Sequence, residues 1–274
     1  MANLAELKAE RGYLIWATNT DNNDYIDCAL ACAKSIKLHT PDAKISLVSD
    51  TIVEHPVIDY PMAFPYASQS TNPLHRDWQV YYASPFRQTI KIEADMIVPH
   101  SIDHWWTMLE KKDMVLTIGA RNSFNQLTAD RSYRKIFDAN GLPDVYNAIT
   151  YWRRSELAME FFRFVSYMFS RWDLMKPQLK YSDLDPDGST DVVYALAAKL
   201  LGVENFTLPG TTYPSMIHMK GRINGLQTEN WMQEMIWELN GSNIRINTID
   251  QEYPFHYVVK DFSKVLNEHY DKLL

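Results

Sequence analysis

The sequence contains few of the residues that define several large classes of protein. Two cysteines are too few for the disulfide framework of a small secreted domain, and no stretch approaches the ~18 consecutive apolar residues of a membrane span. Only 9 glycines occur, and neither a P-loop nor a G-x-G-x-x-G dinucleotide motif is present. The charged start, MANLAELKAERG, lacks an apolar secretory core. We therefore expect a cytoplasmic protein with reduced cysteines and no membrane span.

The overall composition is that of a folded protein with an uneven distribution of charge. Aromatic residues make up 13% and charged residues 22% of the 274 residues, which excludes a disordered chain. The formal net charge is -7, but residues 121–180 hold ten Lys/Arg against six Asp/Glu. This stretch thus carries +4 and the rest -11. Two interpretations remain open: a solvated helical face, or a basic surface that faces an acidic ligand or acceptor.

The first fifty residues predict a strand, a helix and a second strand. Residues 13–17 (YLIWA) form a short apolar run typical of a buried strand. The polar loop TNTDNND follows, and Asp24 is placed to cap a helix over 25–39. Residues 44–48 (KISLV) are the next strand. This order predicts a parallel pair of strands with a right-handed crossover, and both cysteines, four positions apart in the helix, are expected to be small core residues.

The rest of the chain continues the mixture of helices and strands. The patterns predict helices over 76–83, 103–111, 155–169 and 192–201, and strands over 88–99 and 114–118, with short strand-like runs in 209–218 and 254–259. No Gly/Ser-rich linker separates two halves. We therefore predict one α/β domain over 1–274, with a mixed, mostly parallel central sheet flanked by helices.

The segment TIKIEADMIVP is the most informative for function. It places Glu93 and Asp95 one residue apart within an apolar strand, where buried charge must be paired or neutralised. At the carboxyl end of a sheet strand, two such carboxylates can hold Mg²⁺ or Mn²⁺. The ion would then bridge them to a substrate diphosphate. The alternative is a strand end whose acidic residues face solvent.

This segment resembles the metal-binding D-x-D motif of GT-A-type glycosyltransferases, and other segments resemble these enzymes in the same order. GYLIWATNTDNNDY is similar to the first strand and nucleotide loop of glycogenin-like and galactosyltransferase-like members, YNAITYWRRSELAMEFF to their donor-site strand and helix, and GSTDVVYALAAKLLG to their acidic helix start. SPFRQTIKIEADMIVPHSIDHWW and FHYVVKDF resemble glycosyltransferases of large tailed phages. The resemblance spans residues 12–262 and implies a Rossmann-like fold with a nucleotide-binding part near 12–120 and a donor-sugar and acceptor part near 121–262.

The resemblance also implies which residues bind the nucleotide of a UDP-sugar. Ala17, Thr18 and Asn19 would line the uridine pocket, and Tyr25 would lie near the base. Arg87, just before the metal strand, would contact the nucleotide.

A second set of implied residues surrounds the metal, which is Mn²⁺ or Mg²⁺. Asp95 would bind the metal directly, and Glu93, in place of the usual aspartate, would share the metal or the ribose. His256 is the first choice for the third ligand, with Lys260 neutralising the diphosphate; His218 with Lys220 is the alternative pair.

The donor sugar is implied to lie near the start of the helix predicted over 192–201. Asp191 and Asn147 are the catalytic candidates there, and Ile149 replaces a familiar glycine, which leaves less room beside the sugar. The implied activity is transfer of the sugar to a hydroxyl acceptor, with retention of configuration favoured. The sequence TNTDNND has no glycine, which argues against a nucleotidyltransferase.

The acceptor is predicted from the phage resemblance and the basic stretch. Together they favour phage DNA carrying hydroxymethylated bases, which would be flipped out of the duplex. The sequence pI of about 5.6 argues against it, and a glycan, a lipid-linked sugar or a protein hydroxyl are the alternatives. A non-catalytic nucleotide-sugar-binding protein is the competing function.

Three remaining features have alternative interpretations. D-x-D-x-D-G at 183–188 resembles a calcium loop, but the twelfth position is Tyr194 rather than glutamate, so a helix cap at Ser189, Thr190 or Asp191 is preferred. Arg131 and Arg134 are either a solvated helical face or a phosphate or acceptor contact. The tryptophans at 105, 106 and 152 are expected in the core or in a crevice wall.

Overall fold

The computed structural model describes residues 4–67, 72–128, 132, 134–181, 188–206 and 214–274. The strands in this part of the chain are β1 (Ala9–Ala17), β2 (Ile45–Ser49), β3 (Tyr60–Ala63), β4 (Phe86–Glu93), β5 (Met96–Ile97), β6 (Met114–Ile118), β7 (Val145–Arg153), β8 (Ile217–His218), β9 (Trp237–Asn240), β10 (Asn243–Ile246), β11 (Ile249–Asp250) and β12 (Phe255–His256). The helices are α1 (Tyr25–His39), α2 (Val80–Ala83), α3 (His104–Leu109), α4 (Lys135–Asn140), α5 (Glu156–Ser170), α6 (Trp172–Met175), α7 (Thr190–Leu200), α8 (Trp231–Glu234) and α9 (Phe262–Tyr270).

The main sheet has six strands in the order β3-β2-β1-β4-β7-β6. The first four strands in this order, β3, β2, β1 and β4, are all parallel to one another, and β7 runs antiparallel to both of its neighbours. This arrangement confirms the predicted mixed, mostly parallel sheet. Two smaller sheets, β5-β12-β8 and β11-β10-β9, complete the described strands.

The predicted strand-helix-strand unit at the start of the chain is confirmed. β1 and β2 pair in parallel, with Ile15 opposite Leu47, and α1 has the predicted bounds. The side chain of Asp24 accepts a hydrogen bond from the backbone N–H of Asp27 at 3.0 Å and so caps this helix. The apolar run and the capping residue were sufficient to locate these elements.

Two predicted elements differ from the structure. The helix expected over 76–83 is a 3-10 helix, Pro73–Gln79, followed by the single turn α2. The strand expected over 88–99 breaks at Ala94 and Asp95, because β4 pairs with β1 and β7 whereas β5 pairs with β12 in another sheet. The chain therefore leaves the main sheet between its two carboxylates.

β7 connects the two parts that the resemblance implied within the chain. It comes from the part after residue 120 but lies between β4 and β6, which come from the part before it. The division near residue 120 therefore does not correspond to two separate sheets. As a division of roles, nucleotide binding before residue 120 and sugar or acceptor binding after it, it stays a prediction.

The main sheet is covered on both faces by apolar side chains. One cluster holds α1 and α9 with Trp105 and Trp106, and the other holds α5 and α7 with Trp152. Cys28 and Cys32 are free thiols buried in the first cluster. The predicted core positions of these tryptophans and cysteines are thus confirmed.

In the described parts of the chain, every helix is too short or too polar to cross a bilayer.

Gly12 is required by the close packing of β1 against its neighbours. A Cβ atom there would overlap the ring of Phe86 and lie 2.7 Å from the backbone oxygen of Lys44. Because Phe86 is fully buried, we expect Gly12→Ala to lower the free energy of unfolding by about 1–3 kcal/mol. Urea denaturation measures this effect. A Gly12→Ala variant with the stability of the wild-type protein would contradict the packing argument.

Candidate active site

The candidate site lies where β1 and β4 end at the same edge of the main sheet. Trp16 and Glu93 are paired in the register of these parallel strands, so the polar loop after β1 and the carboxylates after β4 meet there. They border a cavity of about 380 Å³. Its described walls comprise Trp16, Ala17, Thr18, Thr20, Tyr25, Asn72, Pro73, Leu74, Glu93, Ala94, Asp95, His256 and Lys260.

The small sheet β5-β12-β8 brings the late histidines to this cavity. β12 pairs with β5, which places His256 opposite Met96, next to Asp95. The backbone N–H of Tyr257 donates to the backbone oxygen of Asp95 at 3.2 Å. β12 also pairs with β8 and places His256 opposite His218. Three strands of two residues each thus position a histidine that lies 161 residues from Asp95 in sequence.

Among the described residues, one group of three His, Cys, Asp or Glu side chains could share a metal ion. It consists of Glu93, Asp95 and His256. His256 Nε2 lies 2.8 Å from Asp95 Oδ2 and 3.8 Å from Glu93 Oε2. One ligand atom from each residue lies within 4.8 Å of the others. The Lys260 ammonium donates to the same Asp95 oxygen. The structure therefore brings together the three residues that were the first choice for the metal site, together with Lys260.

The charges in this group perturb one another strongly. Burial raises the pKa of Glu93, and the charges of Asp95 and Asp191 raise it further. Burial opposes ionisation of Asp95, but the charge and hydrogen bonds of His256 and Lys260 hold its pKa well below its ordinary value. For the same reason the pKa of His256 is raised, despite burial, by Asp95. Asp95 is thus anionic, and its charge favours the protonated forms of His256 and Lys260.

These residues fit a divalent cation by their chemistry. Two carboxylates and one imidazole are a donor set suited to Mn²⁺, whereas Mg²⁺ prefers oxygen ligands. His256 Nδ1 is buried and makes no hydrogen bond to any described residue. The ring is therefore oriented by its contacts through Nε2 with the carboxylates, and this is the nitrogen that faces the ligand group.

His218, the alternative ligand, packs behind His256. The two rings stack with centroids 4.6 Å apart and planes 25° apart, and Tyr146 meets His218 edge to face. Burial, together with the charge of His256, lowers the pKa of His218 well below its ordinary value. His218 is thus a neutral ring that supports His256. Lys220 is close enough to contribute to this lowering, but it is not among the residues that line the cavity.

The residues expected around the nucleotide are only partly brought together. Ala17, Thr18 and Tyr25 line the cavity. Asn19 lines an adjoining polar cavity instead, where its side-chain oxygen accepts from the backbone N–H of Ile26 at 3.0 Å. Trp16 Nε1 and Thr18 Oγ1 are buried without a hydrogen-bond partner among the described residues. Both atoms are shielded from the cavity, so the cavity-facing parts of Trp16 and Thr18 offer shape rather than hydrogen bonds.

The predicted nucleotide contact of Arg87 does not agree with its position. Arg87 is the second residue of β4 and Glu93 is the last, so they are about 20 Å apart along the strand. The Arg87 side chain pairs with Glu10 at 3.1 Å on the neighbouring strand. We therefore correct this assignment: Arg87 lies at the opposite edge of the sheet from the cavity.

Asp191 on α7 and Asn147 on β7 contact each other, and the charge of Asp191 acts on Glu93. Ser189 caps α7 by accepting from the backbone N–H of Val192 at 3.3 Å, as the preferred interpretation required, and Asp191 lies in the first turn. One oxygen of Asp191 accepts from the backbone N–H of Asn147 at 2.8 Å. Asn147 is fully buried and Ile149 packs in the core, so neither side chain lines the cavity.

Arg134 is neither a solvated residue nor an exposed phosphate contact, which corrects both interpretations of the sequence. It is 4% exposed and donates to Asp144 at 2.7 Å and Asp191 at 2.9 Å. Its role is to hold the Asp191 carboxylate from the side opposite Asn147. Arg131 and the loop at 182–187, with its calcium-like motif, lie outside the described residues.

Sequence reasoning missed several residues that shape the site. Leu74 and its neighbours form a wall of the cavity, and Lys91 forms a buried ion pair with Asp77 at 2.6 Å. A lysine in the apolar run TIKIE was the available signal for this pair, since buried charge requires a partner. The position of the wall had no comparable signal, because it depends on the 3-10 helix at 73–79.

Comparisons of the structure identify the fold. The galactosyltransferase LgtC, solved in complex with donor and acceptor sugar analogs, is similar over 96% of this chain and 96% of its own, with a TM-score of 0.54 and 12% identity. The glycosyltransferase GlyE of Streptococcus pneumoniae TIGR4 is similar over 96% of this chain, with a TM-score of 0.53 and 13% identity. The fold is that of GT-A-type glycosyltransferases.

The similarity lies in the structure rather than in the sequence. This chain spans 60% of the GlyE chain and nearly all of LgtC. No protein-family model matches the sequence, and no curated protein matches it. The predicted fold is therefore confirmed, and the chemistry has to be argued from the site itself.

Proposed function

We propose that this protein is a metal-dependent glycosyltransferase that transfers a sugar from a UDP-sugar to a hydroxyl acceptor. The observation that carries the proposal is the group of Glu93, Asp95 and His256 at the wall of a 380 Å³ cavity within a GT-A-type fold. The assignment of uracil rests on the resemblance of the loop after β1.

Each group of the site has a distinct role in this reaction. Glu93, Asp95 and His256 would hold the divalent metal, which supplies Lewis-acid stabilisation of the leaving diphosphate. The Lys260 ammonium, which contacts Asp95, neutralises charge that develops on the diphosphate as the bond to the sugar breaks. Tyr25 lies beside this ammonium, 5.4 Å from ring centroid to Nζ, and restricts its position.

Retention of the anomeric configuration is the stereochemistry we propose. Inversion requires a base that accepts the proton of the acceptor hydroxyl, and Asp191 is the carboxylate closest to that role at this edge. Its two oxygens are engaged by Arg134 and by the backbone N–H of Asn147. Both oxygens therefore already accept a hydrogen bond inside the fold, and neither is left free for the acceptor hydroxyl.

The acceptor predicted from the sequence, DNA with hydroxymethylated bases, stays a prediction. Part of the basic stretch that motivated it is used inside the fold, as Arg134 and Arg154 donate to Asp191 and to backbone oxygens, and Arg153 pairs with Asp113. The charge of this stretch therefore gives less support to a DNA surface than the sequence suggested. Mass analysis of products from DNA, glycan and protein acceptors separates the alternatives.

Binding of nucleotides to the wild-type protein tests the proposed site. We expect UDP with Mn²⁺ to raise the melting temperature by about 5–10 °C at 100 times its dissociation constant, and EDTA to abolish the shift because the diphosphate then has no metal contact. ADP, CDP and GDP are the matched ligands. A shift that is identical with EDTA would contradict the metal-dependent site, and an equal shift by all four nucleotides would contradict the assignment of uracil.

A further inference from the structure

A buried ion pair lies beneath the candidate active site. Lys91 Nζ and Asp77 Oδ1 are 2.6 Å apart, and their side chains are 1% and 0% exposed. Removing two charges from water costs about as much as their attraction returns, and apolar replacements of such pairs are often equally stable. Stability of the fold therefore does not explain why this pair is present.

The Asp77 carboxylate joins elements that are distant in sequence. It accepts from Lys91 on β4, from Asn147 Nδ2 on β7 at 3.0 Å, and from the Tyr194 hydroxyl on α7. Burial and the neighbouring carboxylate raise the pKa of Tyr194 well above its ordinary value, so its hydroxyl remains a donor. Lys91 also donates to the backbone oxygen of Asn147 at 3.2 Å. Asp77, Lys91, Asn147 and Tyr194 thus form one hydrogen-bonded cluster.

Each member of the cluster is adjacent to a part of the site. Lys91 precedes Glu93 by two residues, which puts both side chains on one face of β4. Asn147 donates through its backbone to Asp191, and Tyr194 follows Asp191 by one turn of α7. The 3-10 helix that carries Asp77 starts with Pro73 and Leu74, which line the cavity. One carboxylate therefore links two walls of the cavity, the 3-10 helix and the end of β4, to the segment that holds Asp191.

We propose that Asp77, Lys91 and Tyr194 are positioning residues that align the donor sugar, through Asn147 and Asp191, with the reacting centre. This inference rests on the proposed function. The uridine and diphosphate contacts lie on the loop after β1 and at Lys260, and none of these residues bonds to the cluster in the described structure. Loss of the cluster therefore affects turnover of the sugar more than binding of the nucleotide.

Two variants separate this role from a structural one. Asp77→Asn/Lys91→Met removes both charges together, and Tyr194→Phe removes a single hydroxyl while keeping both charges and the ring. We expect each to bind UDP with Mn²⁺ within about twofold of wild type, and kcat for UDP-sugar turnover to fall about 10-fold to 100-fold, the effect of a small misalignment. Lys34→Met, which breaks a pair with Asp271 away from the cavity, is the matched control and should leave kcat unchanged.

Four results would overturn the proposal. Unchanged kcat in both folded variants would show that alignment does not depend on the cluster. A parallel loss of UDP affinity and kcat would assign the cluster to the whole site rather than to the sugar. If the double variant does not fold, the test rests on Tyr194→Phe alone, and a wild-type kcat in that variant would contradict the proposal. Failure of the wild-type protein to bind UDP with Mn²⁺ would instead refute the proposed function, and this inference with it.

Discussion

Asp95→Asn is expected to reduce turnover of the nucleotide-sugar donor by about 10³-fold or more. The Asp95 carboxylate contacts His256 and Lys260 and is placed to hold the metal with Glu93. Lewis-acid stabilisation by a metal is worth several kcal/mol, and each ~1.4 kcal/mol corresponds to a factor of ten in rate. The measurement is UDP release at saturating Mn²⁺ and donor.

The control for this variant is a carboxylate of the same type outside the site. Asp113 pairs with Arg153 at 2.6 Å on the surface, and Asp113→Asn should retain wild-type turnover. Near-ultraviolet circular dichroism establishes whether both variants are folded. A folded Asp95→Asn protein with more than a tenth of wild-type turnover would exclude Asp95 as a metal ligand required for the reaction.

Lys260→Met is expected to lower kcat by about 10²–10³-fold, the usual effect of removing one group that stabilises developing negative charge. It should also weaken UDP binding, because in the proposed site the ammonium would contact the diphosphate in the ground state as well. Burial opposes the charge of this lysine, but Asp95 raises its pKa, so it stays positively charged across neutral pH. Steady-state kinetics and calorimetric titration with UDP measure the two effects.

Lys264 provides a matched control for Lys260. It lies on α9, one turn further along the chain, and makes an exposed pair with Asp261 at 2.9 Å. Exposed pairs contribute little, so Lys264→Met should change kcat less than twofold. Equal losses in the two variants would indicate a general effect of positive charge near the cavity rather than a specific contact of Lys260.

The parts of the fold that could be predicted depend on local sequence. The strand at YLIWA, the cap at Asp24 and the helix of 25–39 follow from short-range rules. The structure has the helix at these bounds and a strand that starts four residues earlier, at Ala9. The break after Glu93 could not be predicted, because IEADMIV is apolar on both sides of the carboxylates. It results from pairing of β5 with β12, which lies about 160 residues later in the chain.

The candidate site shows the same limit. Glu93 and Asp95 are conspicuous because charge is rare in an apolar strand, and His256 was selected through a resemblance that extended to residue 262. Asn147 was expected to contact substrate, whereas its side chain is fully buried. Arg134 was assigned to the surface, because no local pattern reveals that a guanidinium will be covered by Phe137 and Tyr146.

Release of UDP from a panel of UDP-sugars with Mn²⁺, followed by mass analysis of the sugar product, tests the central claim most directly. Even without the natural acceptor, water is expected to replace the hydroxyl slowly for at least one donor. The account predicts UDP and free sugar from the wild-type protein and neither product from Asp95→Asn. A folded wild-type protein that binds UDP with Mn²⁺ but leaves every donor and acceptor intact would contradict it and would identify a nucleotide-sugar-binding protein instead.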